Sequence, residues 1–328
     1  MTKPEGPYPA VQKIQTSDAE ATVYRDPVFV LAPARSYSTV TIAMLSGHPQ
    51  IYGFPELLMF SSATVEDLLN DKRMGSRLPP FVVHAQLTGI LRAVADLHDE
   101  DQSESAIRRA LLWLKLRSTW TTRELMQYLL ARVYPDIGVE KSPDTVNSDS
   151  ALNSCLESFP RARFIHLTRH PVTAQQSMNK FWRKGLELWG PEKSAAVSDK
   201  HLTVQAASAW YLGHCRIVAA LKTLPNEQWM RVRAEDLIRD PSSWLPRIAT
   251  WLGLAWNEEI LARMLQTERW RFADMGPEKH YGGGDPTFLI SPVLRKIDSP
   301  PTLDCCASLN LPREMVSRIE ELARYLGY

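Results

Sequence analysis

The most constraining feature of this chain is the stretch from Pro27 to Leu45, where a short apolar run meets a loop of hydroxyls and then a second apolar run. Pro27-Val-Phe-Val-Leu-Ala32 is rich in β-branched and aromatic residues and stops at Pro33. A run of this kind without polar alternation reads as a strand buried on both faces. Arg35-Ser-Tyr-Ser-Thr39 follows, and Val40 to Leu45 then reads as the start of a buried helix. A Ser- and Thr-rich loop between a buried strand and a helix start offers backbone N–H groups and hydroxyls to an anion, helped by the helix dipole. Arg35 adds a charge-assisted contact. Taken alone, the pattern is shared with an ordinary serine-rich helix cap.

Further strand-then-helix units extend the same logic. Ala162 to Thr168 leads into a helix after Pro171, Gln228 to Arg233 leads into one near Asp236, and Gln50 to Tyr52 and Gly138 to Pro143 read as shorter strands with loops. Strands alternating with helices predict an α/β fold with a central, mainly parallel sheet flanked by helices. Residues 65–133 carry helical periodicity instead, with Leu87, Ile90, Leu91, Val94 and Leu97 on one face, and predict an all-helical insertion. Pro312 to Tyr328 reads as a terminal amphipathic helix. The expected organisation is an extension over 1–26 and one domain over 27–328.

Composition narrows the function classes. Lys plus Arg (38) nearly balance Asp plus Glu (37) across the 328 residues, so no overall field favours nucleic acid or an anionic membrane, and any anion site must be built locally. No run approaches the roughly 18 apolar residues of a membrane span, and the first 26 residues hold no apolar core of signal length. Cys155, Cys215, Cys305 and Cys306 form no CxxC pair, which argues against a zinc site or a disulfide framework and fits a reducing, cytoplasmic setting. The phosphate-binding motif GxxxxGK[ST] is absent, which counts against a magnesium-dependent nucleotide kinase.

Five pieces, in order along residues 28–240, make a more specific pattern: Leu31-Ala-Pro-Ala-Arg-Ser-Tyr-Ser-Thr39, Gly47-His-Pro-Gln-Ile-Tyr-Gly-Phe-Pro-Glu-Leu57, Val139-Glu-Lys-Ser-Pro143, Phe164-Ile-His-Leu-Thr-Arg-His-Pro171 and Arg233-Ala-Glu-Asp-Leu237. Together they resemble the sulfotransferases that use 3'-phosphoadenosine 5'-phosphosulfate (PAPS), and in the middle third the sulfotransferase domains of bacterial polyketide synthases. The resemblance implies a P-loop-like sulfotransferase fold, PAPS as sulfuryl donor with PAP as product, and no metal. It also implies that the helical insertion over residues 65–133 forms an acceptor pocket.

By the same resemblance Arg35, Ser36, Ser38 and Thr39 match the loop that holds the 5'-phosphosulfate. Tyr37 stands where the common pattern has glycine; its N–H stays available, and the expectation is an ordinary α-region backbone there. Arg169, at the end of a strand, and Ser177, eight residues on in the next helix, match the pair that holds the 3'-phosphate. A surface ion pair and a solvated helix face are the plain alternatives. In the late loop Lys279-His-Tyr-Gly-Gly-Gly-Asp285, Lys279 and Gly283 are placed to close over the 3'-phosphate or adenine, or to make a simple turn.

Sulfuryl transfer needs an in-line acceptor oxygen, charge stabilisation on the bridging and sulfuryl oxygens, and a base. Glu56 is the first candidate base, since relatives place a carboxylate after the phosphate loop; capping of a helix over Leu57 to Ser62 is its alternative role. His84 is a second candidate base, with a satisfied core histidine as the alternative. Lys141 is placed to steady the bridging oxygen, against an ion pair with Glu140, which its strand position disfavours. The acceptor pocket is expected from the insertion and from Phe181, Trp182, Leu186 and Trp189, for an apolar or aromatic hydroxylated small molecule, free or carrier-bound. A non-catalytic PAPS- or phosphate-binding module and a kinase-like phosphotransferase are the competing functions.

Overall fold

Every residue of β1 (Val28–Leu31) is buried, as its unbroken apolar run requires of a strand with neighbours on both sides. The computed structural model describes residues 23–70, 80–189, 198–277 and 283–328. In it β1 joins β2 (Ile51–Gly53), β3 (Ile137–Glu140), β4 (Arg163–Thr168) and β5 (Trp229–Arg233) in a parallel sheet of order β2-β3-β1-β4-β5. Phe29 pairs in register with Glu140 on one side and Phe164 on the other, and its ring meets those of Phe60, Phe159 and Phe164. The order places β3 on one side of β1 and β4 on the other. The carboxyl edge of β1 is thus the point where the connections diverge and a crevice opens, the usual ligand position in open α/β sheets.

Helices cover the sheet. In chain order they are α1 (Ser38–Leu45), α2 (Val65–Leu69), α3 (Pro80–Asp99), α4 (Glu104–Lys115), α5 (Thr122–Val133), α6 (Asp149–Ser158), α7 (Pro171–Trp189) and α8 (Asp199–Leu221). The order continues with α9 (Ala234–Arg239), α10 (Pro241–Trp251), α11 (Glu258–Met264), α12 (Pro286–Ile290) and α13 (Arg313–Tyr325). The expected insertion is α2 to α5, and its boundaries follow from local chemistry. Thr64 with Asp67 and Thr121 with Glu124 form capping boxes, and Ser103 accepts from the Ala106 N–H.

A second apolar cluster lies apart from the main core. Ile319, Ala323 and Leu326, with Cys306 and Leu309, pack on Val172 and Ala174 of α7 and on Ala207 and Trp210 of α8. The tail of the chain thus buttresses the start of α7. Among the described residues no helix is long and apolar enough to cross a membrane.

One expected element does not form. Leu57 to Ser62 is not helical. Leu57 N–H donates to Glu140 Oε1 at 3.3 Å and Leu58 N–H to Ser142 Oγ at 2.9 Å, so side chains at the end of β3 anchor this backbone. Leu58 adopts φ 52, which breaks helical geometry, while Leu57, Met59 and Phe60 are buried.

Candidate active site

Beyond β1 the chain turns sharply into α1, with Arg35 at φ 68 and Tyr37 at φ 61. Tyr37 is therefore left-handed, contrary to the ordinary backbone expected of it. The conformation costs a non-glycine residue about 1–2 kcal/mol. Its tertiary setting supplies the compensation: the guanidinium of Arg169 lies 3.8 Å from the centre of the Tyr37 ring, a stacked cation–π contact that glycine could not make. The Tyr37 carbonyl accepts from Thr41 N–H at 3.1 Å and Thr41 Oγ1 at 3.0 Å, while its side chain makes no cap bond. The amino end of α1 thus faces the loop uncapped by a side chain.

Within the loop, Ser36 is fully buried, and its hydroxyl has no hydrogen-bond partner among the described residues. An orphaned hydroxyl beside a helix amino terminus fits an anion held there. Arg35 Nε donates to Ser177 Oγ at 3.2 Å, and Arg35 Nη1 pairs with Asp285 Oδ1 at 2.6 Å. The Arg35 guanidinium also lies 5.4 Å from the Phe181 ring centre.

The second expected anion site adjoins the first. Arg169 leaves the end of β4, is largely buried, and donates through Nη1 to the Arg35 carbonyl at 2.6 Å and through Nε to Thr173 Oγ1 at 3.2 Å. Ser177 accepts from Arg35 and not from Arg169, and the Arg169 bond to the Arg35 carbonyl is what joins the two clusters.

At the end of β3 the pleat sends neighbours to opposite sides. Glu140 turns inward to Leu57 N–H and Ser142 Oγ, and burial pushes its carboxyl up to about 8. Lys141 turns to the crevice, where its ammonium donates to Thr39 Oγ1 at 3.0 Å and pairs with the Glu56 carboxylate. Lys141 is almost fully buried and Glu56 about one-fifth exposed, so the pair sits at the inner end of an opening.

The late glycine segment closes this end. Glu56 N–H donates to the Gly283 carbonyl at 2.7 Å, and Asp285 N–H to Thr39 Oγ1 at 2.9 Å. Gly283 has φ 81, and a Cβ there would come within 2.7 Å of the Gly89 Cα, so the position demands glycine. Asp285 then caps α12 by accepting from Thr287 N–H at 2.9 Å. Lys279 lies outside the described residues. His84 falls on the backbone of α3, and its side chain is likewise outside them.

A cavity of about 610 Å³ opens from these groups, with Arg35, Tyr37, Thr39 and Glu56 at its polar end. Met178, Phe181, Trp182, Phe288, Leu294 and Ile297 make its apolar walls. The insertion was expected to form this pocket, yet none of its described residues lines it. α5 packs on β3, α3 reaches the Glu56–Gly283 end through Gly89, and the segment 284–297 lines the cavity instead. Sequence reasoning gave Asp285 no role, although an Asp followed by Pro286 is a helix-start signature. Among the described residues no group of side chains is arranged to hold a metal ion.

The central strand of the parallel sheet thus feeds the Arg35 loop, with Arg169 beside it and an apolar cavity in front. Residues 27–258 match the family model described as the sulfotransferase family, and the chain belongs to that family, whose general activity is sulfotransfer. Two solved structures share the fold. The sulfotransferase domain from the Synechococcus PCC 7002 olefin synthase superposes with a TM-score of 0.66 at 23% identity, covering 93% of this chain and 98% of that one. The sulfotransferase domain from the curacin biosynthetic pathway superposes with a TM-score of 0.70 at 20% identity, covering 93% and 99%. No curated protein matches the sequence.

Proposed function

We propose that this chain transfers the sulfuryl group of PAPS to a hydroxyl of an apolar small-molecule or acyl acceptor, releasing PAP, with residues 27–328 acting as one catalytic unit. The observation that carries the reading is the convergence of Lys141, Thr39 and Glu56 at the inner end of the cavity, next to the Arg35 loop. Arg35, Ser36, Ser38, Thr39 and the Tyr37 N–H would hold the 5'-phosphosulfate, and Arg169 with Ser177 the 3'-phosphate. The orphaned Ser36 hydroxyl and the uncapped amino end of α1 fit an anion there.

In this reading Glu56 takes the proton of the acceptor hydroxyl as that oxygen bonds to sulfur and the sulfur–oxygen bond to the 5'-phosphate breaks. Lys141 shifts its ammonium toward the oxygen that gains charge. The competing role of Glu56, capping a helix over Leu57 to Ser62, is weakened because no helix forms there. Met178, Phe181, Trp182 and Phe288 favour an apolar acceptor of drug-like size. Both structural relatives are domains of biosynthetic systems, which is compatible with an acceptor delivered on a carrier.

The test is calorimetric titration with PAP and with AMP, which differ only in the 3'-phosphate. Wild-type protein should prefer PAP, and Arg169→Ala should weaken PAP by about 1.5–3 kcal/mol while changing AMP little, the scale of a lost charged hydrogen bond. Equal losses on both ligands would remove Arg169 from the 3'-phosphate.

A further inference from the structure

Tyr328 lies far beyond residue 258, where the family match ends, yet it reaches the strand end that carries Arg169. Its phenol donates to Glu235 Oε2 at 2.8 Å and accepts from Thr168 Oγ1 at 3.2 Å. Its ring is held between the Arg233 guanidinium, 4.6 Å from the ring centre, and the edge-on ring of His170 at 5.4 Å. Arg233 Nη1 also donates to the Gly327 carbonyl at 2.8 Å, which fixes the backbone just before the phenol.

Glu235 is the hinge of this arrangement. It is 2% exposed, and its other oxygen accepts the His170 N–H at 2.8 Å. One buried carboxylate therefore serves the turn after β4 with one oxygen and Tyr328 with the other. Trp210 Nε1 also donates to the Arg169 carbonyl at 2.9 Å, while the Arg169 side chain is held by the Arg35 carbonyl, Thr173 Oγ1 and the Tyr37 ring. If the phenol hydroxyl is removed, Glu235 keeps a buried oxygen without its donor. The carboxylate must then reorient, and the His170 N–H moves with it. Arg169 sits between the two contacted residues, so its backbone shifts with them, and its guanidinium must then reach the Arg35 carbonyl, Thr173 Oγ1 and the Tyr37 ring from a displaced origin.

We propose that Tyr328 is a positioning residue for Arg169, setting the donor's 3'-phosphate subsite from outside the cavity; this rests on the reading that Arg169 binds the 3'-phosphate. Tyr328 does not line the cavity. It acts through Glu235 and Thr168, and its effect is confined to ligands that carry a 3'-phosphate.

The experiment titrates the full chain with PAP and AMP as wild type, Tyr328→Phe, Arg169→Ala and the double variant, each well below its melting temperature. Tyr328→Phe should weaken PAP about five- to tenfold and leave AMP unchanged, and should add nothing once Arg169 is alanine. Thr168→Val, which keeps the phenol but removes its second bond, should weaken PAP by about two- to threefold, again without effect on AMP. A lowered melting temperature with the wild-type preference for PAP over AMP intact would overturn the proposal, as would equal loss on both ligands or a full additional loss in the double variant. If Arg169→Ala also keeps the wild-type preference, the 3'-phosphate reading itself fails. A preference lost in Arg169→Ala and kept in Tyr328→Phe and Thr168→Val sinks the role of Tyr328 alone.

Discussion

Lys141 donates to the Thr39 hydroxyl at 3.0 Å, tying the end of β3 to the first turn of α1 across 102 residues of sequence. The same ammonium pairs with Glu56, so one buried cation sits between the Arg35 loop and the proposed base. Replacing it with an apolar chain of similar length isolates the charge. Lys141→Met should lower single-turnover sulfuryl transfer by about 10²- to 10³-fold, the scale of losing one charge-stabilising donor, with a smaller change in PAP affinity. A loss in PAP affinity that matches the loss in rate would place Lys141 in donor binding instead.

Glu56→Gln retains the shape and an oxygen that can accept from Lys141 while removing the base. Turnover should fall by about 10²- to 10⁴-fold with PAP affinity nearly unchanged. Titration, thermal melting and single-turnover rate on one preparation separate these effects. Near-normal turnover in a folded Glu56→Gln protein shifts the base to another residue.

Tyr37 combines a left-handed backbone with a ring on Arg169. Tyr37→Gly and Tyr37→Ala both lose the ring, but only glycine accepts φ 61 without strain. The glycine variant should therefore be the more stable of the two by about 1 kcal/mol in denaturant unfolding, with similar PAP affinities. Equal stability would show that the loop abandons the left-handed conformation once the ring is gone.

Much of this architecture could be read from the residues. The five strands follow from their apolar runs and the punctuation around them, and the meeting of the loop with Lys141 and Glu56 follows from placing strand ends at one sheet edge. The conformation at Tyr37 could not be read, because the contact that stabilises it comes from Arg169, 132 positions later by residue number. In place of the helix expected at Leu57 to Ser62, Leu58 turns to φ 52 where the Leu57 and Leu58 N–H groups donate to Glu140 and Ser142, 83 and 84 residues away. The cavity wall at 284–297 and the reach of Tyr328 are likewise products of distant contacts, and neither leaves a periodic signal.

Glu140 gives the stability a pH dependence. Its carboxyl, with an ordinary value near 4.5, is raised by burial to about 8 in the fold, so the folded protein holds a proton that the unfolded chain releases. Its contribution is complete below about pH 4.5, declines as pH rises, and is lost above about pH 8. Glu140→Gln removes this titration and keeps an acceptor oxygen for Leu57. Between pH 6 and 9 the wild-type melting temperature should fall relative to that of the variant; parallel curves would mean that Glu140 is ionised in the fold.

The bond between Asp285 N–H and Thr39 Oγ1 spans 246 residues, and with it comes a matter of timing. At about 5–20 residues per second, ribosomal synthesis leaves a gap of roughly ten to fifty seconds between the making of Thr39 and the making of Asp285. β2 to β5 are all made within that gap, so the sheet can assemble before the cavity is closed. Competence for the proposed transfer therefore begins only once the segment around Asp285 has emerged and docked on Thr39.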